Sequence, residues 1–403
     1  MLYKKGFNLY LLFFIIVGGL FFYPILISFI LMFMSLFLTT KESYRFNFLF
    51  ISLFFSFLSL SINASGDMVS YYMSFNSYVF IDFITSLKYF RGLFFEIIHY
   101  LDMDVKIYSF ISLFLISFFL LKLIYLFYES LQVNFNIRNK ILFLCLFFST
   151  FQLTYFFSYE NFLGFVLFSY GQGILFLKED KIKGWVFILI SPFIHISLII
   201  FVIYHIIFSI LYERNVSFFK LIFISFFIPI LLSFYYVLPD FNNLFLITIR
   251  IKLESYLNGG WSKYLGLHDY LSLLYNCVKL TLTAIFFRYI LRKNNGNIYI
   301  KWIVFIFPLL VLFLSNRTLA IRFVFSGFLP CVYVFVYILN KCSIKFFQYL
   351  AIFSILLNSF SIFNYIGFSD LIKNINTDIY SLNIIKIFND PVILDVRERV
   401  RNN

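Results

Sequence analysis

Gly6–Thr40 reads GFNLYLLFFIIVGGLFFYPILISFILMFMSLFLTT, thirty-five consecutive residues without a formal charge. About 20 apolar residues cross the hydrocarbon core of a bilayer as a helix, so this one stretch is long enough to span. Similar runs recur along the chain at 9–38, 46–62, 107–127, 141–158, 162–177, 185–210, 221–238, 270–291, 302–315, 323–339 and 346–366. The first and sixth are long enough for one tilted helix or two short ones. Gly18, Gly19 and Pro24 mark possible breaks in the first, and Pro192 in the sixth. The reading is an all-α polytopic membrane protein with about 11–13 transmembrane helices, some short or broken.

Composition excludes most other classes. Only 13% of the 403 residues are charged, against roughly 25% in soluble domains, and the deficit is global. The opening Met1-Leu2-Tyr3-Lys4-Lys5 resembles the start of a signal peptide, but the apolar run behind it is too long and lacks a cleavage site, so it reads as a retained first span. The net charge of +13 fits basic loops held in the cytoplasm. No basic-aromatic module lies outside the spans, so no nucleic-acid partner is expected. Cys145, Cys277, Cys331 and Cys342 lie in or beside apolar runs and show neither metal-ligand nor disulfide spacing.

The basic loops set an orientation. Lys41 with Arg45, Arg138 with Lys140, Lys178 through Lys183, Arg292 through Lys301, and Lys341 with Lys345 are expected in the cytoplasm. The loop 63–105, the turn 159–161 and the turn at Asn316-Arg317 then lie outside. Arg214 and Lys220 also read as cytoplasmic. For both flanks of 185–210 to be inside, that segment must enter and return, with Pro192 and His195 at its outer apex. A single 26-residue helix is the other reading. The organisation expected is a multi-span domain over 1–366 with external loops 63–105 and 240–269, followed by a polar tail over 367–403. In the second loop, Leu244 to Tyr256 suits a helix lying in the interface. Tyr256, Trp261, Tyr264 and Tyr270 suit an aromatic belt or platforms for sugar rings.

Chemistry must come from few polar groups. Asn63-Ala64-Ser65-Gly66-Asp67-Met68-Val69-Ser70-Tyr71-Tyr72 follows a span; Gly66 permits a tight turn, and Asp67 can accept a proton or cap a helix. In Arg91-Gly92-Leu93-Phe94-Phe95-Glu96-Ile97-Ile98-His99, Glu96 and His99 share a helix face. His195 and Lys279 lie inside apolar segments, where ionisable groups are costly. Asn316-Arg317-Thr318-Leu319-Ala320-Ile321-Arg322 sets two arginines at a short turn, where they can grip phosphate or anchor at headgroup level. Glu160 and Asn161, at another external turn, could face the same cavity. There is no phosphate-cradling Gly-rich loop, no metal-ligand constellation and no recognisable nucleophile.

Three patches resemble the Wzy-type O-antigen polymerases and the related EpsG-like polysaccharide polymerases. They are Gly66-Asp67 with Tyr71-Tyr72; the basic run Lys178–Lys183 with Trp185 and Phe193-Ile194-His195-Ile196-Ser197; and Asn316-Arg317 through Arg322-Phe323 with Pro330. The chain departs from the family by lacking an arginine before Gly66, and by carrying Arg91-Gly92 where an acidic residue and proline are common. The resemblance implies a glycosyltransferase-C-like membrane enzyme that joins undecaprenyl-pyrophosphate-linked oligosaccharide repeat units at the periplasmic face of the bacterial inner membrane. It implies Asp67 and His195 as catalytic groups. It implies Arg317, Arg322, Arg91, Tyr71, Glu96 and Asn316 as pyrophosphate- or substrate-binding groups. No metal or cofactor is expected; membrane lipid and a chain-length regulator protein are the further expected partners. A lipid-linked oligosaccharide flippase and an O-antigen ligase are the alternative functions.

Overall fold

The computed structural model describes residues 16–37, 41–64, 66–77, 79–134, 136–214, 266–293 and 297–359, with scattered positions between 217 and 264 and at 368–373. Among them 86% are helical and none forms a strand. Lys106–Ser130, Ile196–Glu213, Asp269–Arg292, Ile298–Ser315 and Arg317–Lys341 are five helices long and apolar enough to cross a membrane. The chain therefore has the all-α polytopic architecture expected from its apolar runs. A helix satisfies its backbone internally, which hydrocarbon demands. The expected span 221–238, the loop 240–269, the tail 367–403 and the start of the run 9–38 lie wholly or mostly outside the described residues.

In chain order the helices are α1 (Pro24–Phe37), α2 (Lys41–Leu60), α3 (Asp67–Asn76), α4 (Phe80–Thr85), α5 (Tyr89–Tyr100), α6 (Lys106–Ser130), α7 (Ile137–Thr150), α8 (Tyr159–Leu177), α9 (Lys181–Ile194), α10 (Ile199–Glu213), α11 (Leu267–Lys293), α12 (Ile298–Leu312) and α14 (Lys345–Ser359). Between the last two runs α13 (Arg317–Lys341), a continuous span with a π-helical turn at Ala320–Val324 and a 3-10 turn at Leu329–Cys331. The loop 63–105 is thus three short helices, α3 to α5.

Side-chain contacts fix the direction of each helix. At the start of α6, Tyr108 packs on Tyr159 of α8 with ring centres 5.3 Å apart. At the end of α6, Phe127 packs on Tyr299 of α12 and Tyr333 of α13. Tyr44 of α2 packs on Phe143 of α7, and Phe55 packs on Phe151. Asp269 at the start of α11 bonds Arg317 at the start of α13, while Tyr289 near the end of α11 packs on Phe347 of α14. The helix ends therefore sort into two groups. One gathers Asp67, Arg91, Glu160, His195, Asp269, Arg317 and Arg322. The other gathers Arg45, Arg138, Lys178, Lys181, Lys183, Arg214, Arg292, Lys301, Lys341 and Lys345. Glu129 pairs with Lys178 at 2.9 Å at this second end.

The segment 181–213 turns back on itself. Pro192 removes a hydrogen bond in the last turn of α9, and His195 follows with extended backbone. A 3-10 turn at Ile196–Leu198 then starts α10. The return is visible in Trp185 and His205, whose rings lie 4.7 Å apart. His195 is the apex, as the two basic flanks require.

Close approach of α8 and α9 depends on two glycines. A Cβ on Gly171 would lie 2.8 Å from the carbonyl oxygen of Gly184, and one on Gly184 would lie 2.7 Å from Leu175 Cβ. Small residues permit such backbone contact where no hydrophobic force drives helices together. Gly171→Leu should destabilise the protein by about 1–3 kcal/mol or more, as overpacking does. Gly18→Ala, where nothing lies within 4 Å, should leave the thermal midpoint of the detergent-solubilised protein unchanged.

Candidate functional site

The site is built at the end of the bundle where α3, α5, α6, α8 and α13 meet. Gly66 has φ 58°, a left-handed backbone that suits glycine. This turn starts α3 and places Asp67 in its first turn, half-buried. Ser158, the residue before α8, donates its hydroxyl to Asp67 Oδ2 at 2.5 Å. That contact fixes the carboxylate by one oxygen, and among the described residues no hydrogen bond is made to Oδ1. Tyr71 follows one helical turn after Asp67 on the same side of α3.

Two residues after Ser158, Glu160 makes the central contact. Arg91 of α5 donates Nε to Oε1 and Nη2 to Oε2, both at 2.6 Å. Tyr108 of α6 donates its hydroxyl to the same Oε1 at 2.5 Å. The guanidinium lies over the ring of Tyr71, 4.3 Å from its centre. Ser109 then bridges the hydroxyls of Tyr159 and Tyr72 at 3.2 and 3.1 Å. A fork-on-fork pair of this kind is strong and directional, and it ties three segments to one point.

The electrostatics follow from that packing. Burial, then Glu160 and Asp67, push the Tyr71 hydroxyl well above its ordinary pKa, against Arg91 and Arg322, which pull it down. Tyr71 therefore remains a neutral donor, and Arg322 of α13 lies within electrostatic reach of it. Burial and the neighbouring Arg91 lower the pKa of Lys88, against Glu160. Arg322 sits in the π-helical turn Ala320–Val324. Such wide turns recur at functional sites because they re-aim a side chain within a helix.

The remaining expected residues divide. Arg317 is part-buried and donates Nε to Asp269 Oδ1 at 2.6 Å. Asn316 caps the start of α13 by accepting from the Leu319 amide at 3.1 Å. His195 Nδ1 lies 2.5 Å from the Ser197 hydroxyl. Its Cβ faces Gly164, one turn along α8 from Glu160. Asp67, Tyr71, Arg91, Arg322 and His195 are thus brought to one locality, with Arg317 and Asn316 at the same end.

Two expectations change. Glu96 is exposed on α5, about 140° around the helix from Arg91 at 3.6 residues per turn. It is not brought into the cluster, and His99, its face-mate, stacks on Phe75. Arg91 is not an open phosphate ligand, because Glu160 already holds two of its three nitrogens. Only Nη1 is left without a hydrogen-bond partner. Sequence reading missed Tyr108 and Asp269 and left Glu160 without its partner. A carboxylate at the first turn of an apolar helix was the only local signal.

Among the described residues no group of three or more His, Cys, Asp or Glu is placed to hold a metal ion. The arrangement offers a carboxylate with a free oxygen, a neutral phenol and two arginines within one end of the bundle. No family profile, curated protein or solved structure matches the chain.

Breaking the Arg91–Glu160 pair leaves a buried charge without compensation, which costs about 3–5 kcal/mol. Glu160→Ala should lower thermal stability accordingly. Glu96→Ala, at an exposed site, should stay within about 0.5 kcal/mol of the parent. Equal effects from the two substitutions would contradict the assignment.

Proposed function

We propose that the chain is a surface-polysaccharide polymerase of the Wzy or EpsG kind, acting on undecaprenyl-pyrophosphate-linked oligosaccharides. The observation that carries this reading is the convergence of Asp67, Tyr71, Arg322 and His195 on the Arg91–Glu160 pair at one end of an apolar helical bundle. These residues come from the three patches that resemble the family, although those patches span more than 250 residues of sequence.

Among the described residues, most of the basic side chains lie toward the opposite end. Lysine and arginine are retained on the cytoplasmic side, so the cluster faces outward, to the periplasmic side of the bacterial inner membrane. A lipid-linked donor reaches such a site laterally, with its polyprenyl tail in the bilayer.

Glycosyl transfer needs two things from the protein. The acceptor hydroxyl must lose a proton as it attacks the anomeric carbon, and the pyrophosphate must leave with its charge stabilised. Asp67 suits the first role, because Ser158 orients it and Oδ1 is available. Arg322, with Arg317 beside it, suits the second. His195 is placed to position the acceptor or relay its proton. The Arg91–Glu160–Tyr108 assembly holds α5 against the bundle and so shapes the wall.

Deleting the gene should leave surface glycan capped with a single repeat unit. In membranes supplied with lipid-linked repeat units, Asp67→Asn should slow chain growth by about 10²–10⁴-fold, the usual contribution of a general base. Arg322→Ala should cost about 10²-fold or more, as loss of one charge-stabilising group does. Unchanged ladders in both variants would refute the reading. Movement of lipid-linked oligosaccharide without bond formation would favour a flippase instead.

A further inference from the structure

The outer half of α11 carries a buried polar face that the proposed reaction does not use. Ser272, Asn276, Lys279 and Thr283 fall at spacings of four, three and four, so they share one side of the helix. All four are buried, with Asn276 at 0% and Lys279 at 5% exposure. Thr283 returns its hydroxyl to the Lys279 carbonyl. Among the described residues the Ser272 hydroxyl and both ends of the Asn276 amide have no hydrogen-bond partner.

Lys279 makes the stripe unusual. It lies ten residues beyond Asp269, about 15 Å along the helix, which is the middle of the hydrocarbon core. A lysine side chain cannot snorkel to either surface from there. No carboxylate among the described residues pairs with it. Its Nζ instead sits over the rings of Phe328, Phe325 and Tyr275, at 4.1, 4.6 and 5.9 Å from their centres. The first two rings belong to α13, just beyond the π-helical turn that carries Arg322. The seam between α11 and α13 thus has aromatic walls, the Lys279 amine at its floor, and the unpaired Ser272 hydroxyl and Asn276 amide along its length. At its mouth Arg317 neutralises Asp269.

We infer that this seam is an oxyanion-binding site within the membrane, taking a phosphate or carboxylate group against Lys279, Asn276 and Ser272. The Lys279 amine, the Asn276 amide and the Ser272 hydroxyl share this face of α11, and each can donate a hydrogen bond. Buried donors of this kind require acceptors, and a buried lysine keeps its proton only beside an opposite charge. An anionic oxygen group meets both needs. The inference stands on α11 and α13 alone and does not depend on the polymerase reading.

The test is charge-selective thiol labelling of the full chain in proteoliposomes. Ser272→Cys and Asn276→Cys are made separately in a background carrying Cys145→Ser, Cys277→Ser, Cys331→Ala and Cys342→Ser. Each is treated with anionic sulfonatoethyl or cationic trimethylammonioethyl methanethiosulfonate, with rates normalised to a free thiol. The anionic reagent should react roughly tenfold faster, since a nearby cation in a low-dielectric seam enriches anions. Lys279→Met should abolish that preference, and Lys279→Arg should retain it, which separates the charge from a folding defect. Protection by inorganic pyrophosphate would assign the anion to a lipid phosphate; protection by glucuronate would assign it to an acidic sugar. Failure of both cysteines to react, protection by neither anion, or a preference unchanged by Lys279→Met would overturn the inference.

Discussion

The arrangement depends on the cost of leaving a charge unpaired beside hydrocarbon. Arg91 and Glu160 are both buried, and each would be prohibitive alone. Joined by two hydrogen bonds of 2.6 Å and braced by Tyr108, they form a closed unit that fastens helix α5 to α8. Once α8 is anchored there, Ser158 can reach Asp67, Tyr71 can lie under the guanidinium, and Gly164 can receive His195. The cluster follows from one electrostatic requirement met by residues 69 positions apart.

Around that pair the bundle holds itself together by packing detail more than by hydrophobic force, since lipid is as apolar as the side chains it would replace. Gly171 and Gly184 let α8 and α9 touch backbone to backbone. Phenylalanine and tyrosine rings fill the interior edge to face or tilted, as around Tyr108, which meets Tyr71, Phe90, Phe94, Phe95 and Tyr159. Helix α13 is the most enclosed span, with 83% of its apolar window buried against 33% for Ile196–Glu213. A helix so placed can carry a π-helical turn without turning its widened backbone toward lipid.

How much of this the sequence announces varies with the range of the interaction. The spans are legible because a bilayer imposes a length and forbids charge within it. The return at His195 is legible too, because Lys181, Lys183 and Arg214 must share a side. Gly66 and the first turn of α3 are local and could be read directly. The partners of Glu160 and Arg317 were not legible. Arg91 and Asp269 lie in segments whose spacing carries no trace of the pairing, and only the folded bundle brings them near. Glu96 was over-read for the same reason: a face shared with His99 says nothing about which side of α5 meets the bundle. The π-helical turn at Arg322 has no sequence pattern of its own.

The central claim is that Asp67 and the two arginines of α13 occupy one face of the membrane, opposite the basic loops. The most direct measurement is labelling of single cysteines with an impermeant maleimide in intact cells. Ser70→Cys on α3 and Ser315→Cys before α13 replace exposed residues at the site end, and Arg138→Cys replaces one at the other end. The account predicts that the first two label from outside, while Arg138→Cys labels only after the membrane is permeabilised. Labelling of Ser70→Cys and Ser315→Cys from opposite sides would contradict it.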